Sequence, residues 1–154
     1  MFIDVHCHLD YYPEEKIKEI VERAKKADVR TIITNGVNPR TNRKTLELAE
    51  KYPEVKPALG LYPIEAIALP ENEINNELEF IKNSKNKIVA IGEVGLDFKE
   101  TEEKEKQIQV FKKIIQLAQK INKPLIIHSR KAEAECISLL EEAKAKKVVM
   151  HCFS

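Results

Sequence analysis

The chain has 154 residues, of which 43% are hydrophobic and 33% charged, and its formal net charge is +1. This composition is typical of a globular protein, and the balanced charge excludes a general electrostatic attraction to nucleic acid. No apolar run approaches the roughly 20 residues that a transmembrane helix requires. The three cysteines follow no repeated spacing. We therefore expect no membrane segment and a reduced, cytoplasmic protein.

Short apolar runs alternate with segments of helical periodicity along the whole chain. The apolar runs predict strands at residues 2–5, 30–34, 55–61, 88–93, 125–128 and 147–153. Five helices are predicted between them, because apolar residues there recur about every 3.6 positions. These apolar positions are Ile17, Ile20, Val21, Ala24 and Ala27, then Leu46 and Ala49, then Ile74, Leu78 and Ile81, then Phe111, Ile114, Ile115, Ala118 and Ile121, and finally Cys136, Leu139, Leu140 and Ala143.

Strict alternation of strands and helices indicates a parallel sheet with helical crossovers. We predict an α/β fold of the TIM (β/α)8 barrel type, forming a single domain over residues 1–154. The alternative is a doubly wound open sheet, which normally has a glycine-rich phosphate loop after its first strand. The first predicted strand is instead followed by His-Cys-His-Leu-Asp at residues 6–10, so the barrel is favoured.

All four histidines and one glutamate lie at the ends of predicted strands: His6, His8, Glu93, His128 and His151. In a (β/α) barrel these ends form one mouth, where catalytic residues gather. Two histidines two positions apart on a strand point to the same side, roughly 6.5 Å apart. Imidazole and carboxylate ligands suit zinc, manganese, cobalt or nickel and also admit magnesium. The pattern predicts two divalent metal ions bridged by the glutamate.

Four motifs resemble those of a known family: FIDVHCHLD at residues 2–10, GEVGLD at 92–97, HSR at 128–130 and HCFS at 151–154. In this order, each at a strand end, they resemble the TatD family of metal-dependent deoxyribonucleases. The resemblance covers the whole chain and implies an amidohydrolase-like TIM barrel that cleaves DNA phosphodiester bonds through a metal-activated water. It also implies that the five strand-end residues are metal ligands, with Glu93 catalytic.

Length is one departure from the family pattern. A TIM barrel usually needs about 250 residues, so we expect an incomplete barrel with six strands and five helices, the N-terminal part of a longer hydrolase. The late aspartate that completes the first metal site in this family has no counterpart here. An incomplete barrel has unpaired edges on its first and sixth strands, so we expect self-association or pairing with a complementing segment.

The loop GLYPIE at residues 60–65 is a second departure, because the family usually has histidines where this chain has Tyr62 and Ile64. Tyr62 either contacts a substrate phosphate or base, or packs as an aromatic over the barrel rim. Arg130 is the candidate phosphate clamp, because its planar fork suits two oxygens. The alternative for Arg130 is an ion pair with Glu133.

Two aspartates are candidates for supporting the site. Asp4 shares a strand face with His6, and we expect its carboxylate to be buried. It then either orients a ligand imidazole or forms a salt bridge at the barrel floor. Asp97 either supports the site or caps the loop before the next helix.

Three functions remain in competition. The first is a TatD-like deoxyribonuclease, with DNA or another phosphodiester as substrate. The second is a related hydrolase of esters, lactones or amides, which the same metals would serve and which Tyr62 leaves open. The third is an inactive truncated half-barrel that binds metal or DNA without turnover, and the missing aspartate motivates it.

Overall fold

A computed structural model describes residues 1–151. Six parallel strands, paired in the order β1-β2-β3-β4-β5-β6, form one sheet that curls into a nearly closed barrel. The strands are β1 (Phe2–Cys7), β2 (Val29–Asn35), β3 (Val55–Leu59), β4 (Ala90–Asp97), β5 (Leu125–Arg130) and β6 (Val148–His151). The helices are α1 (Glu14–Lys26), α2 (Pro39–Lys51), α3 (Pro63–Ala68), α4 (Glu71–Asn83), α5 (Lys104–Ile121) and α6 (Glu133–Glu142), and a 3-10 turn covers Leu9–Tyr11.

The strand order confirms the barrel-type fold over the doubly wound sheet. In a doubly wound sheet the strand order reverses at a switch point, whereas here every strand pairs with its neighbours in sequence. The end of the predicted sixth strand, with Cys152 and the rest of the fourth motif, lies outside the described residues.

The expectation of five helices is wrong, because α3 adds a sixth. This helix has only six residues and begins at Pro63, in the first-turn position that proline favours. Fewer than two turns give no repeating apolar pattern, so periodicity missed it. Strand β3 also ends at Leu59, two residues earlier than predicted, because the chain turns towards α3 after that point.

Burial differs sharply between the inner and outer strands of the sheet. Every residue of β4 is buried, and its apolar side chains join a core cluster that includes Phe111 and Ile114 of α5. In β1, by contrast, Phe2 is 66% exposed and Ile3 is 56% exposed. Strand β1 lies at the edge of the sheet and pairs only with β2 among the described residues.

Helix ends are fixed by local side chains that the sequence supplies. At the start of α2, Asn38 accepts a hydrogen bond from the Thr41 amide and its own amide donates to Thr41 Oγ1, each at 3.0 Å. This reciprocal pair is a capping box. Among residues 1–151, none of the helices combines the length and the apolar composition needed to cross a membrane.

Candidate metal centre

Glu93 stands at the centre of the barrel mouth, on β4, and is only 4% exposed. Its Oε2 lies 3.1 Å from His8 Nε2 and 3.7 Å from His6 Nε2. Its Oε1 lies 2.6 Å from His151 Nε2 and 3.1 Å from His128 Nδ1. The structure therefore brings together all five predicted residues, and each carboxylate oxygen faces a different pair of histidines.

Barrel curvature explains how residues from both ends of the chain meet. The imidazole rings of His6 on β1 and His151 on β6 stack, with centroids 3.6 Å apart. These two strands are the outer members of the sheet, so the stacking marks the point where its edges approach. Ligand atoms of His6, Glu93 and His151 all lie within 4.8 Å of one another.

The negative charge of the Glu93 carboxylate is stabilised by the imidazoles around it. Burial by itself raises the pKa of Glu93, but hydrogen bonds from His128, His151 and His8 outweigh it and hold that pKa far below the usual range. The same carboxylate raises the pKa of His8 and of His128 against the opposing effect of burial. Glu93 is therefore an anion at neutral pH.

The pKa of His6 is shifted in the opposite direction to those of His8 and His128. Burial and the neighbouring imidazoles lower its pKa to about 4, against the opposing charge of Glu93. Its ring is consequently neutral at physiological pH, and its Nδ1 is buried without a hydrogen-bond partner among the described residues. A neutral imidazole whose Nε2 lies 3.7 Å from an anionic carboxylate oxygen fits a divalent cation.

Each of two further histidines is oriented by a group behind it. His8 Nδ1 lies 2.9 Å from the carbonyl oxygen of Asn35, so an Nδ1–H donates there and Nε2 faces Glu93. His128 Nε2 lies 3.2 Å from Asp97 Oδ2, so Nδ1 is the atom that faces Glu93. The sequence contained no signal for Asn35, because its contribution comes from a backbone atom.

Asp97 makes contacts that fit both of its predicted roles, supporting the site and capping the loop before the next helix. Its Oδ1 accepts the Lys99 amide at 3.0 Å, which caps the loop, and its Oδ2 accepts the Tyr62 hydroxyl at 2.7 Å. Burial raises the pKa of Asp97, but the bonds from Tyr62, Lys99 and His128 bring it below the ordinary value. Burial and the Asp97 carboxylate raise the pKa of Tyr62, which therefore stays a neutral phenol.

A family model described as TatD related DNase matches residues 3–154. The chain belongs to the TatD family. It is 36% identical to the human deoxyribonuclease TATDN3 over 98% of the chain and 60% of that protein. It is also 36% identical to YabD of Bacillus subtilis, an uncharacterized metal-dependent hydrolase, over 100% of the chain and 61% of that protein. The chain thus spans about three fifths of the length of these relatives.

Solved TatD structures share the fold. YjjV of Escherichia coli, a TatD homologue, superposes with a TM-score of 0.89 at 31% identity, over 99% of this chain and 60% of that one. A TatD family hydrolase of Entamoeba histolytica gives a TM-score of 0.85 at 27% identity, over 99% of this chain and 58% of that one. The barrel predicted from the motifs is therefore that of the family.

The alternative considered for Arg130, an ion pair with Glu133, is wrong in this TatD chain. Arg130 NH1 lies 2.8 Å from Glu100 Oε1 and 3.9 Å from Asp97 Oδ2. Glu133 instead accepts the amide of Lys131. Arg130 still lies at the mouth, with its side chain 43% exposed.

Asp4 was expected to be buried, and that expectation is also wrong. Its side chain lies on the exposed part of β1, where Asp4 Oδ1 accepts the backbone amide of His6 at 3.1 Å. The bond reaches the backbone of a histidine and not its imidazole. The exposure follows from the position of β1 at the edge of the sheet.

Proposed function

We propose that residues 1–154 are one domain, the N-terminal part of a TatD-like deoxyribonuclease that uses two divalent ions to cleave phosphodiester bonds in DNA. The division of the four histidines between the two oxygens of Glu93 carries this proposal. It makes two ligand sets, His6 and His8 with Oε2, and His128 and His151 with Oε1. The deoxyribonuclease named among the relatives supports the choice of DNA.

The protein groups have distinct tasks in this scheme. The four histidines and Glu93 would hold the divalent ions, which would supply polarisation of a phosphodiester and activation of water at neutral pH. Glu93 supplies the central anion and is the candidate catalytic residue. The Asn35 carbonyl and the Asp97 carboxylate fix the rings of His8 and His128, so that one nitrogen of each faces the centre.

Arg130 is the candidate phosphate contact. Its guanidinium is half exposed at the rim and is held near the centre by Glu100 and Asp97. A planar guanidinium binds two phosphate oxygens at once. The Tyr62 hydroxyl donates its proton to Asp97, which favours a positioning role over direct substrate contact.

The sheet edges lead to a second proposal, that β1 and β6 pair with further strands from another copy of the chain or from a complementing segment. Phe2, Ile3 and Val5 of β1 are exposed, and so is Val149 of β6. Apolar strand edges of this kind are pairing sites. We also propose a reducing compartment such as the cytoplasm, supported by the free thiols of Cys7 and Cys136.

The nuclease proposal is tested with wild-type chain, Glu93→Gln and the control Glu142→Gln, which removes the same charge from the exposed end of α6. Ion stoichiometry and cleavage are measured together, on DNA and on small esters. We expect two ions per chain for the wild type and the control, DNA cleavage by both, and loss of both properties in Glu93→Gln.

Other outcomes of this experiment have definite meanings. Equal cleavage by Glu93→Gln and wild type contradicts the assigned role of the carboxylate. Cleavage of esters without cleavage of DNA supports the related-hydrolase alternative. Two bound ions without any turnover support the inactive half-barrel.

A further inference from the structure

A buried polar network runs from α4 through α2 to the loop after β3. Glu77 is 2% exposed and Asn42 is fully buried. Asn42 Nδ2 donates to Glu77 Oε1 at 2.7 Å and to the Gly60 carbonyl at 2.9 Å, and its Oδ1 accepts the Gly60 amide at 3.0 Å. Arg43 NH1 donates to both Glu77 oxygens, at 2.6 and 2.5 Å. Both donor hydrogens of the Asn42 amide are therefore used.

The loop that Asn42 holds lies directly against the backbone of Glu93. A Cβ added at Gly60 would lie 2.7 Å from the Glu93 carbonyl oxygen and 2.8 Å from its nitrogen. This close approach requires a glycine at position 60. Any shift of the loop would therefore move the peptide that carries the central carboxylate.

The loop after β2 holds the same peptide from another direction. The Glu93 amide donates to the Gly36 carbonyl at 3.0 Å. A Cβ at Gly36 would meet Asn42 Oδ1 at 2.0 Å, so the Asn42 side chain packs against this loop as well. One buried amide thus contacts both glycine loops that enclose the backbone of Glu93.

We propose that Asn42, held by Glu77, is a positioning residue that fixes the Glu93 backbone so that its carboxylate faces both histidine pairs. The inference rests on the proposed metal-binding function of Glu93. A fully bonded buried amide specifies one arrangement, because any displaced loop would leave a buried donor or acceptor unpaired. Asn42 bonds Gly60 and Glu77 and packs against Gly36, so it acts on Glu93 through these two loops and not through the histidines.

The test compares Asn42→Ala with Thr45→Ala. Thr45 is also fully buried, lies one turn further along α2, and its hydroxyl has no hydrogen-bond partner among the described residues. Both variants truncate a buried polar side chain of the same helix. Only Asn42→Ala removes the hydrogen bonds that hold Gly60. Amide hydrogen exchange at Gly60 and Glu93 is measured in metal-free protein, and Mn²⁺ affinity is measured by calorimetry.

We expect Asn42→Ala to accelerate exchange at Gly60 and Glu93 beyond the rate set by global unfolding. We also expect it to weaken Mn²⁺ binding about ten-fold, the typical effect of losing support behind a metal ligand. Thr45→Ala should retain wild-type values for both. Equal Mn²⁺ affinities for the two variants overturn the proposal. If the wild type binds no Mn²⁺, the proposed metal-binding function is wrong. Unchanged amide exchange in Asn42→Ala would separately overturn the proposal that Asn42 positions the Glu93 backbone.

Discussion

At the scale of single residues, the candidate centre depends on one buried carboxylate and its imidazole partners. A buried charge without partners is strongly destabilising. Glu93 is stabilised because all four histidines lie within 3.7 Å of its oxygens. The histidines in turn require orientation, and Asp97 with Tyr62 supplies it for His128.

Tyr62→Phe tests whether the tyrosine hydroxyl positions His128 or contacts substrate. Loss of the bond to Asp97 should weaken divalent-ion affinity about ten-fold, since a residue behind a ligand has been removed. The KM for DNA should change little. The control is Tyr11→Phe, which removes another hydroxyl at the rim but keeps the ring that stacks on His8. A raised KM with unchanged ion affinity would instead identify Tyr62 as a substrate contact.

At the scale of secondary-structure elements, the loops after β2 and β3 are held by helix α2. Its capping box sets where the helix begins, and that start places Asn42 one turn later against both loops. Asn38 Nδ2 also donates to Glu65 Oε2 at 2.9 Å, which ties the start of α2 to helix α3. Local capping chemistry therefore contributes to the geometry of the mouth.

Asn38→Ala should lower the free energy of unfolding by about 1 kcal/mol, because the first turn of α2 loses its cap. Urea denaturation followed by circular dichroism measures this change. Asn38→Ser is the matched variant, since serine keeps a side-chain oxygen that accepts from the Thr41 amide. An equal loss in both variants would mean that the contact with Glu65, and not the cap, carries the stabilisation.

At the scale of the whole molecule, burial is lowest along β1, at one edge of the curled sheet. Inner strand β4 is buried throughout, whereas Phe2 and Ile3 on β1 are mostly exposed. The chain also spans about three fifths of the length of its relatives. An exposed apolar strand edge favours association with another strand.

We expect the purified chain to self-associate through these edges, with a native mass that rises with protein concentration. Ile3→Lys should shift the population towards the monomer, because a charge on an edge strand opposes pairing. Ile137→Lys is the control, since Ile137 is 39% exposed but lies on α6, away from the edge. Sedimentation velocity measures the effect. A wild-type monomer at all concentrations would contradict self-association.

The convergence of the five strand-end residues was predictable, because parallel strands in a barrel bring their carboxyl ends to one mouth. Apolar runs and helical periodicity likewise determined the alternating fold class. The short helix α3 escaped prediction, because six residues show no repeat. The ligand role of the five residues stays a prediction that ion stoichiometry must test.

Local patterns and motif order were enough to predict the barrel-type fold, the family and the set of residues at the barrel mouth. The packed structure was needed to show which oxygen of Glu93 each histidine faces, and that Arg130 pairs with Glu100 and not Glu133. The structure was also needed to show that Asp4 is exposed and that Asn42 contacts the loops at Gly36 and Gly60. Such contacts depend on side-chain rotamers and on the packing of segments distant in sequence, which no local pattern encodes.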